Sequence, residues 1–175
     1  MEAPDTKEID GCCRPLRVGV TEGEKTRLIA WAAEMRRVHD RLRTALRVTQ
    51  EAITAGDPAE PAARDLLLFC HGFCAALTGH HEGEDRSLFP AIARAHPELR
   101  ETIRRLEQDH SMIGHLLGGL QAAVDQAGTP EALGKHLEGI AAIMESHFRF
   151  EERKLLGVLE SLALDADVGE VFGPL

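Results

Sequence analysis

This chain has no tyrosine and a single tryptophan, and aromatic residues make up only 4% of its 175 positions. Runs of β-branched residues are few as well. Sheets draw on both, so their scarcity speaks against a β fold, while abundant Ala, Leu, Glu and Arg favour helix. Long apolar runs are missing: none approaches the ~18 residues that a transmembrane helix needs. Positive charge is in deficit. Lys and Arg total 20 against 29 Asp and Glu, a formal charge of −9. Nucleic acid or an anionic membrane would want a basic face, so neither is expected as a partner. Cysteines fall only as Cys12–Cys13 and Cys70/Cys74. That is no disulfide framework, and a cytoplasmic location is expected. The opening "MEAPDTKEIDGCCRPLRVGV" has no basic n-region and no apolar h-region, so no signal peptide is expected. No Ser-His-Asp set, phosphate loop or nucleotide fingerprint is apparent.

What is present is periodicity. Turn signals at "AGDPAEP" (Ala55–Pro61), "AHPE" (Ala95–Glu98) and "AGTPE" (Ala127–Glu131) leave segments of about 24–55, 61–95, 97–127 and 130–162. Pro97 and Pro130 suit first helical turns, and Thr129 suits an N-cap. Spacings of three and four align Leu28, Trp31, Met35, Leu42 and Leu46, then Leu66, Phe69, Phe73, Leu77 and Leu88. They also align Ile103, Leu106, Ile113, Leu117 and Leu120, then Leu133, Leu137, Ile140, Met144, Leu155 and Val158. These are amphipathic helices with one buried face each. Short connections between them predict an all-α, antiparallel up-down four-helix bundle over 23–162. An N-terminal extension (1–22) and a C-terminal tail (163–175) flank it, and either could dock on the bundle. Pro90 is expected to kink the second helix or end it early.

Polar residues sit in the gaps of these apolar stripes. His39 falls between Met35 and Leu42, and His110 between Leu106 and Ile113. His80 and Glu84 fall between Leu77 and Leu88, and His147 and Glu151 between Met144 and Leu155. Burying six ionisable groups without partners costs several kcal/mol each, against a total stability of about 5–15 kcal/mol. Imidazoles and carboxylates aimed inward have lone pairs to give and few donors for one another, so a metal is the better answer.

The spacing agrees. HxxxE places an imidazole and a carboxylate one turn apart on one face. It occurs twice, as "HHEGE" (His80–Glu84) and "HFRFE" (His147–Glu151), each preceded by a lone core-face histidine at 39 or 110. This internal duplication predicts a pseudo-two-fold site on the bundle axis. His81/Asp85 is a rival i, i+4 pair, but only His80/Glu84 aligns with the second copy. His81, about 100° around the helix, is therefore expected behind the ligands or at the surface. Six protein ligands suit two metals, with the carboxylates bridging and iron or manganese favoured over copper or calcium. That leaves room for an oxo or hydroxo bridge and a small exogenous molecule.

At this point the chain resembles the hemerythrin-like (HHE cation-binding) family. The match rests on His39, "HHEGEDRSLFP", "EQDHSMIGHLL" and "SHFRFEERKLL", and spans about Leu28–Leu162. The resemblance implies a four-helix bundle holding two iron ions, with His39, His80, Glu84, His110, His147 and Glu151 as ligands. The family's oxygen carriers place a further histidine four residues after the third-helix one. Here that position is Gly114, and His115 is out of line. A four-histidine, more symmetric and more open centre is expected, favouring peroxide or nitric oxide chemistry, or sensing, over reversible oxygen carriage.

Three functions follow as alternatives. One is a di-iron protein that binds or reduces dioxygen, hydrogen peroxide or nitric oxide. The second is an iron- or oxygen-sensing or iron-storage module without turnover. The third is a helical interaction domain without metal. Elsewhere, Cys70, Cys74 and His71 could bind a soft metal or form a redox pair near Cys12 and Cys13, but Cys70 and Cys74 read better as small buried apolar groups. His96 and His136 read as solvated, and Glu82 and Asp85 as surface charge.

Overall fold

The computed structural model describes residues 22–54 and 60–173, with side chains over 31–54 and 68–173. Among these residues the chain is all-helical, without strands. Helix α1 spans Glu22–Thr54 and α2 spans Glu60–Gly83. A π-helical turn, Glu84–Leu88, carries α2 into α3 (Phe89–Ala95). A 3₁₀ turn at Pro97–Leu99 opens α4 (Arg100–Asp125), and α5 runs Pro130–Leu159. A short α6, Val168–Phe172, follows.

The local chemistry sets these limits. The Thr129 side chain accepts a hydrogen bond from the Ala132 N–H at the start of α5, with Pro130 beside it where no N–H is needed. Pro97 opens the 3₁₀ turn in the same way. Pro90 does not end the second segment. In a regular α-helix its ring would strike the carbonyl four residues back and leave that carbonyl without a donor. The backbone widens here instead: the Phe89 N–H bonds to the Glu84 carbonyl, five residues earlier, and helix resumes to Ala95. Such turns are frequent at functional sites, and this one carries Glu84.

The four long helices close a ring. Helix α1 packs on α2 and α5, and α4 packs on the same two. Their inner faces form one core, with Met35, Leu42, Leu77, Leu106, Ile113, Leu120, Leu137 and Ile140 fully buried. The predicted stripes hold with two changes. Phe69 is 41% exposed, because Cys70, with Phe73, Cys74 and Leu77, takes the inward position on that turn. Val158 is only partly buried. The side chains of Leu28 and Leu66, and all of Cys12 and Cys13, lie outside the described residues.

The C-terminal tail closes over one part of the ring. Helix α6 packs on α2 and the π turn and buries Val171 and Phe172 completely. The Trp31 indole N–H donates to the Leu164 carbonyl (3.3 Å), and its ring lies 5.9 Å from that of Phe172. Asp167 caps α6 by accepting from the Gly169 N–H at 2.8 Å. No described helix is long and apolar enough to cross a membrane.

Candidate metal centre

The six side chains singled out by the sequence converge at the centre of the ring. His39 comes from α1, His80 from α2, Glu84 from the π turn, His110 from α4, and His147 and Glu151 from α5. All are buried, His39, His80, Glu84 and Glu151 completely. The two carboxylates each reach both halves of the cluster. Glu84 Oε2 lies 3.6 Å from His80 Nε2 and 3.6 Å from His110 Nε2. Glu151 Oε2 lies 3.3 Å from His39 Nε2 and 3.8 Å from His147 Nε2. A carboxylate so placed is disposed to bridge.

A seventh residue joins them. His81 is 5% exposed rather than at the surface, and its ring stacks on His110 with centroids 4.0 Å apart and planes 12° from parallel. Two donor groups result, each with ligand atoms within 4.8 Å of one another: His39, His80, Glu84 and Glu151, and His81, His110 and His147. The cluster of buried donors is thus five imidazoles and two carboxylates, one imidazole more than the six side chains expected. The added imidazole comes from α2 and not from α4, where His115 is exposed and Gly114 faces out. His81 was legible in one respect, since it stands three residues before Glu84 and shares its face. The duplication hid it, because the matching position in the second copy is Phe148.

The surroundings are aromatic and acidic. Phe148 lies flat on His39 (3.9 Å, 7°) and Phe89 on His110 (5.3 Å, 17°), while Phe172 approaches His80 at 6.0 Å. Outside this shell His39 Nδ1 meets Glu152 Oε1 at 2.8 Å, and His110 Nδ1 meets Asp85 Oδ1 at 2.7 Å. Asp85 is therefore more than surface charge. Arg43 ties α1 to α5, donating to Glu145 (2.8 Å) and Glu152 (3.2 Å) with its guanidinium over the Phe148 ring.

Burial governs the electrostatics. It drives His80 and His81 well below the ordinary imidazole range, and the charge of neighbouring imidazoles adds to the effect. It pushes Glu84 well above the carboxylate range, with the charge of Glu151 adding to it. Burial pushes Glu151 up too, but the approach of His39 and the charges of His39, His147 and His80 outweigh it and hold the group at about 2. For His39, burial is outweighed by Glu151 and Glu152, and its value is raised.

Nine buried side-chain nitrogen and oxygen atoms among the described residues have no hydrogen-bond partner, and all belong to this cluster. Seven of them are the Nε2 atoms of His39, His80 and His81 and the four oxygens of Glu84 and Glu151. At about 1–3 kcal/mol each, such orphans together rival the ~5–15 kcal/mol that holds a domain folded. His110 Nε2 and His147 Nε2 stand 3.1 Å apart, so one must donate to the other or a cation must lie by both lone pairs. Imidazoles and carboxylates are the donors that first-row transition ions take, and the residues fit a metal site.

The model of the hemerythrin HHE cation-binding domain matches residues 32–159. The chain belongs to the hemerythrin HHE cation-binding family. Comparison with curated proteins and with solved structures gave no match. The family match covers all seven cluster residues and stops before α6, so the cover over His80 lies outside it.

Among the described residues, Cys70, Cys74 and His71 form no donor group of three that could hold a metal ion. Cys70 and Cys74 are free and buried, and burial pushes the Cys74 thiol up to about 11. His71 is exposed, 3.4 Å from Gln121 across the α2–α4 seam. His136 is exposed, and His96 pairs with Glu98 at 3.1 Å.

Proposed function

We propose that this protein is a non-haem di-iron protein of the hemerythrin type that binds or reduces a small oxidant: dioxygen, hydrogen peroxide or nitric oxide. The ring of long helices is read as an antiparallel up-down bundle around that centre. The carrying observation is the set of unpartnered lone pairs on two bridging-disposed carboxylates and the imidazoles at either end of them.

His39 and His80 would hold one iron, and His81, His110 and His147 the other, with Glu84 and Glu151 shared. When bound, iron supplies one- and two-electron chemistry toward dioxygen and related oxidants. The chain supplies an uneven cradle: three imidazoles at one end and two at the other. The two-imidazole end offers fewer protein donors, so a small ligand is expected there. That end is walled by Phe148 and Phe172, both fully buried. An apolar wall excludes water and disfavours charged molecules, which suits small neutral oxidants.

Metal analysis of the purified protein, with an absorption spectrum and titrations of peroxide and nitric oxide, tests this reading. Two irons per chain, near-ultraviolet charge-transfer absorption and a spectral response to an oxidant are expected. A colourless protein holding two zincs, or iron indifferent to all three oxidants, would end it.

A further inference from the structure

Each copy of the duplicated motif continues with another acid. Asp85 follows Glu84, and Glu152 follows Glu151. These two acids are exchanged between the halves of the site. Asp85, from the first copy, reaches the Nδ1 of His110, the lone histidine of the second half, at 2.7 Å. Glu152, from the second copy, reaches the Nδ1 of His39, the lone histidine of the first half, at 2.8 Å. With Nδ1–H donating to the carboxylate in each pair, the Nε2 lone pair of the neutral ring faces the cluster. Both Nε2 atoms lie within 3.6 Å of a bridging-disposed carboxylate oxygen.

We propose that Asp85 and Glu152 are positioning residues: each fixes the tautomer and orientation of the lone histidine from the opposite half, presenting its Nε2 to the metal pair. This rests on the di-iron reading of the site. Neither acid belongs to the two donor groups themselves. His39 and Glu152 are on α1 and α5, while His110 is on α4 and Asp85 on the π turn. Each bond therefore also ties two elements together across a corner of the ring. The corners differ in one respect. Glu152 shares its oxygen with Arg43, at 3.2 Å, so part of its charge is already balanced.

Outer hydrogen-bond partners of ligating histidines commonly contribute 10–100-fold to metal affinity. Asp85→Ala and Glu152→Ala are therefore each expected to lose iron about 10–100-fold more readily in competition with a chelator. Asp85→Asn and Glu152→Gln keep an accepting oxygen and should recover much of that loss. In the iron-loaded protein, nuclear magnetic resonance should show the Nδ1–H of His110 exchanging faster with solvent in Asp85→Ala only. The Nδ1–H of His39 should do so in Glu152→Ala only. A merely structural contribution would lower the melting temperature without that residue-by-residue exchange pattern. Alanine variants with wild-type iron affinity and exchange rates would overturn the assignment. So would Asn and Gln variants as impaired as the alanines. If the wild type itself takes up no iron, the di-iron reading fails instead.

Discussion

His81 and Phe148 hold the same place in the two copies of one motif, and each lies flat on the lone histidine of the other copy. His81 stacks on His110 at 4.0 Å and Phe148 on His39 at 3.9 Å. One packing position is thus filled by an imidazole at one end and by an apolar ring at the other. That single difference makes the site uneven.

His81→Phe should restore the symmetry. Phenylalanine already fills the equivalent position beside His39, so the fold should persist. The end formed by His110 and His147 loses an imidazole, and iron there should be held at least ~10–100-fold more weakly, since even outer-partner losses cost that much. Metal analysis after dialysis against a chelator should show about one iron retained per chain where the wild type retains about two.

The protein stripped of metal should be most stable near pH 6.5. His80, His81 and His147 have lowered values in the fold. Below about 6.5 the unfolded chain binds their protons and the fold does not, so stability falls with acid. Glu84 acts oppositely: its raised value keeps a proton in the fold that the unfolded chain has already released above its ordinary range. His39, also raised, contributes stability that is complete below about 6.5 and lost as pH climbs through its folded value. Three histidines against one glutamate leave a net of about two protons between pH ~4.5 and ~6.5, a slope of at most roughly 3 kcal/mol per pH unit. Denaturant melts across pH 4.5 to 8 should show the maximum. A monotonic rise with pH would contradict this balance.

Chelation should destabilise the protein. An ion that binds only the fold, present at a thousand times its dissociation constant, contributes about 4 kcal/mol. For a chain of this length that is on the order of 10 °C in melting temperature. Calorimetry before and after chelation, with iron added back, measures it.

Gly83 meets α6 backbone to backbone: a Cβ there would stand 2.5 Å from the Val171 carbonyl oxygen. Gly83→Ala should displace α6, costing about 1–3 kcal/mol as other overpacked substitutions do. Trp31, the only tryptophan and a neighbour of Phe172, should report the change in fluorescence. Gly139→Ala is the control. It lies exposed within α5 with nothing near its Cβ, and should stabilise by up to about 1 kcal/mol.

Much of this was legible in the sequence, because a polar residue in an apolar helical stripe is costly and therefore conspicuous. His39, His80, Glu84, His110, His147 and Glu151 announced themselves in that way, and each is buried in one cluster. The helix limits followed from Pro97, Thr129 and Pro130 for equally local reasons. His81 was placed behind the ligands or at the surface because a pattern match weighs the position against its counterpart, and Phe148 gives no hint of a buried imidazole. Asp85 and Glu152 recur in the same column of the two copies, but spacing does not say which distant histidine each one meets. The π turn was hidden as well. Pro90 signals a break in the α-helical ladder, but not that the backbone will widen and carry on. The seat of α6 depends on Gly83 making room for Val171 and on Gly173 lying against the Gly79 backbone, which no local pattern encodes.

The most direct test is a crystal structure of the iron-loaded protein with anomalous differences collected at the iron edge. Two anomalous peaks between Glu84 and Glu151 are expected, one beside His39 and His80 and the other beside His81, His110 and His147. No peak within the ring, or a single ion that leaves one group of histidines untouched, would contradict the account.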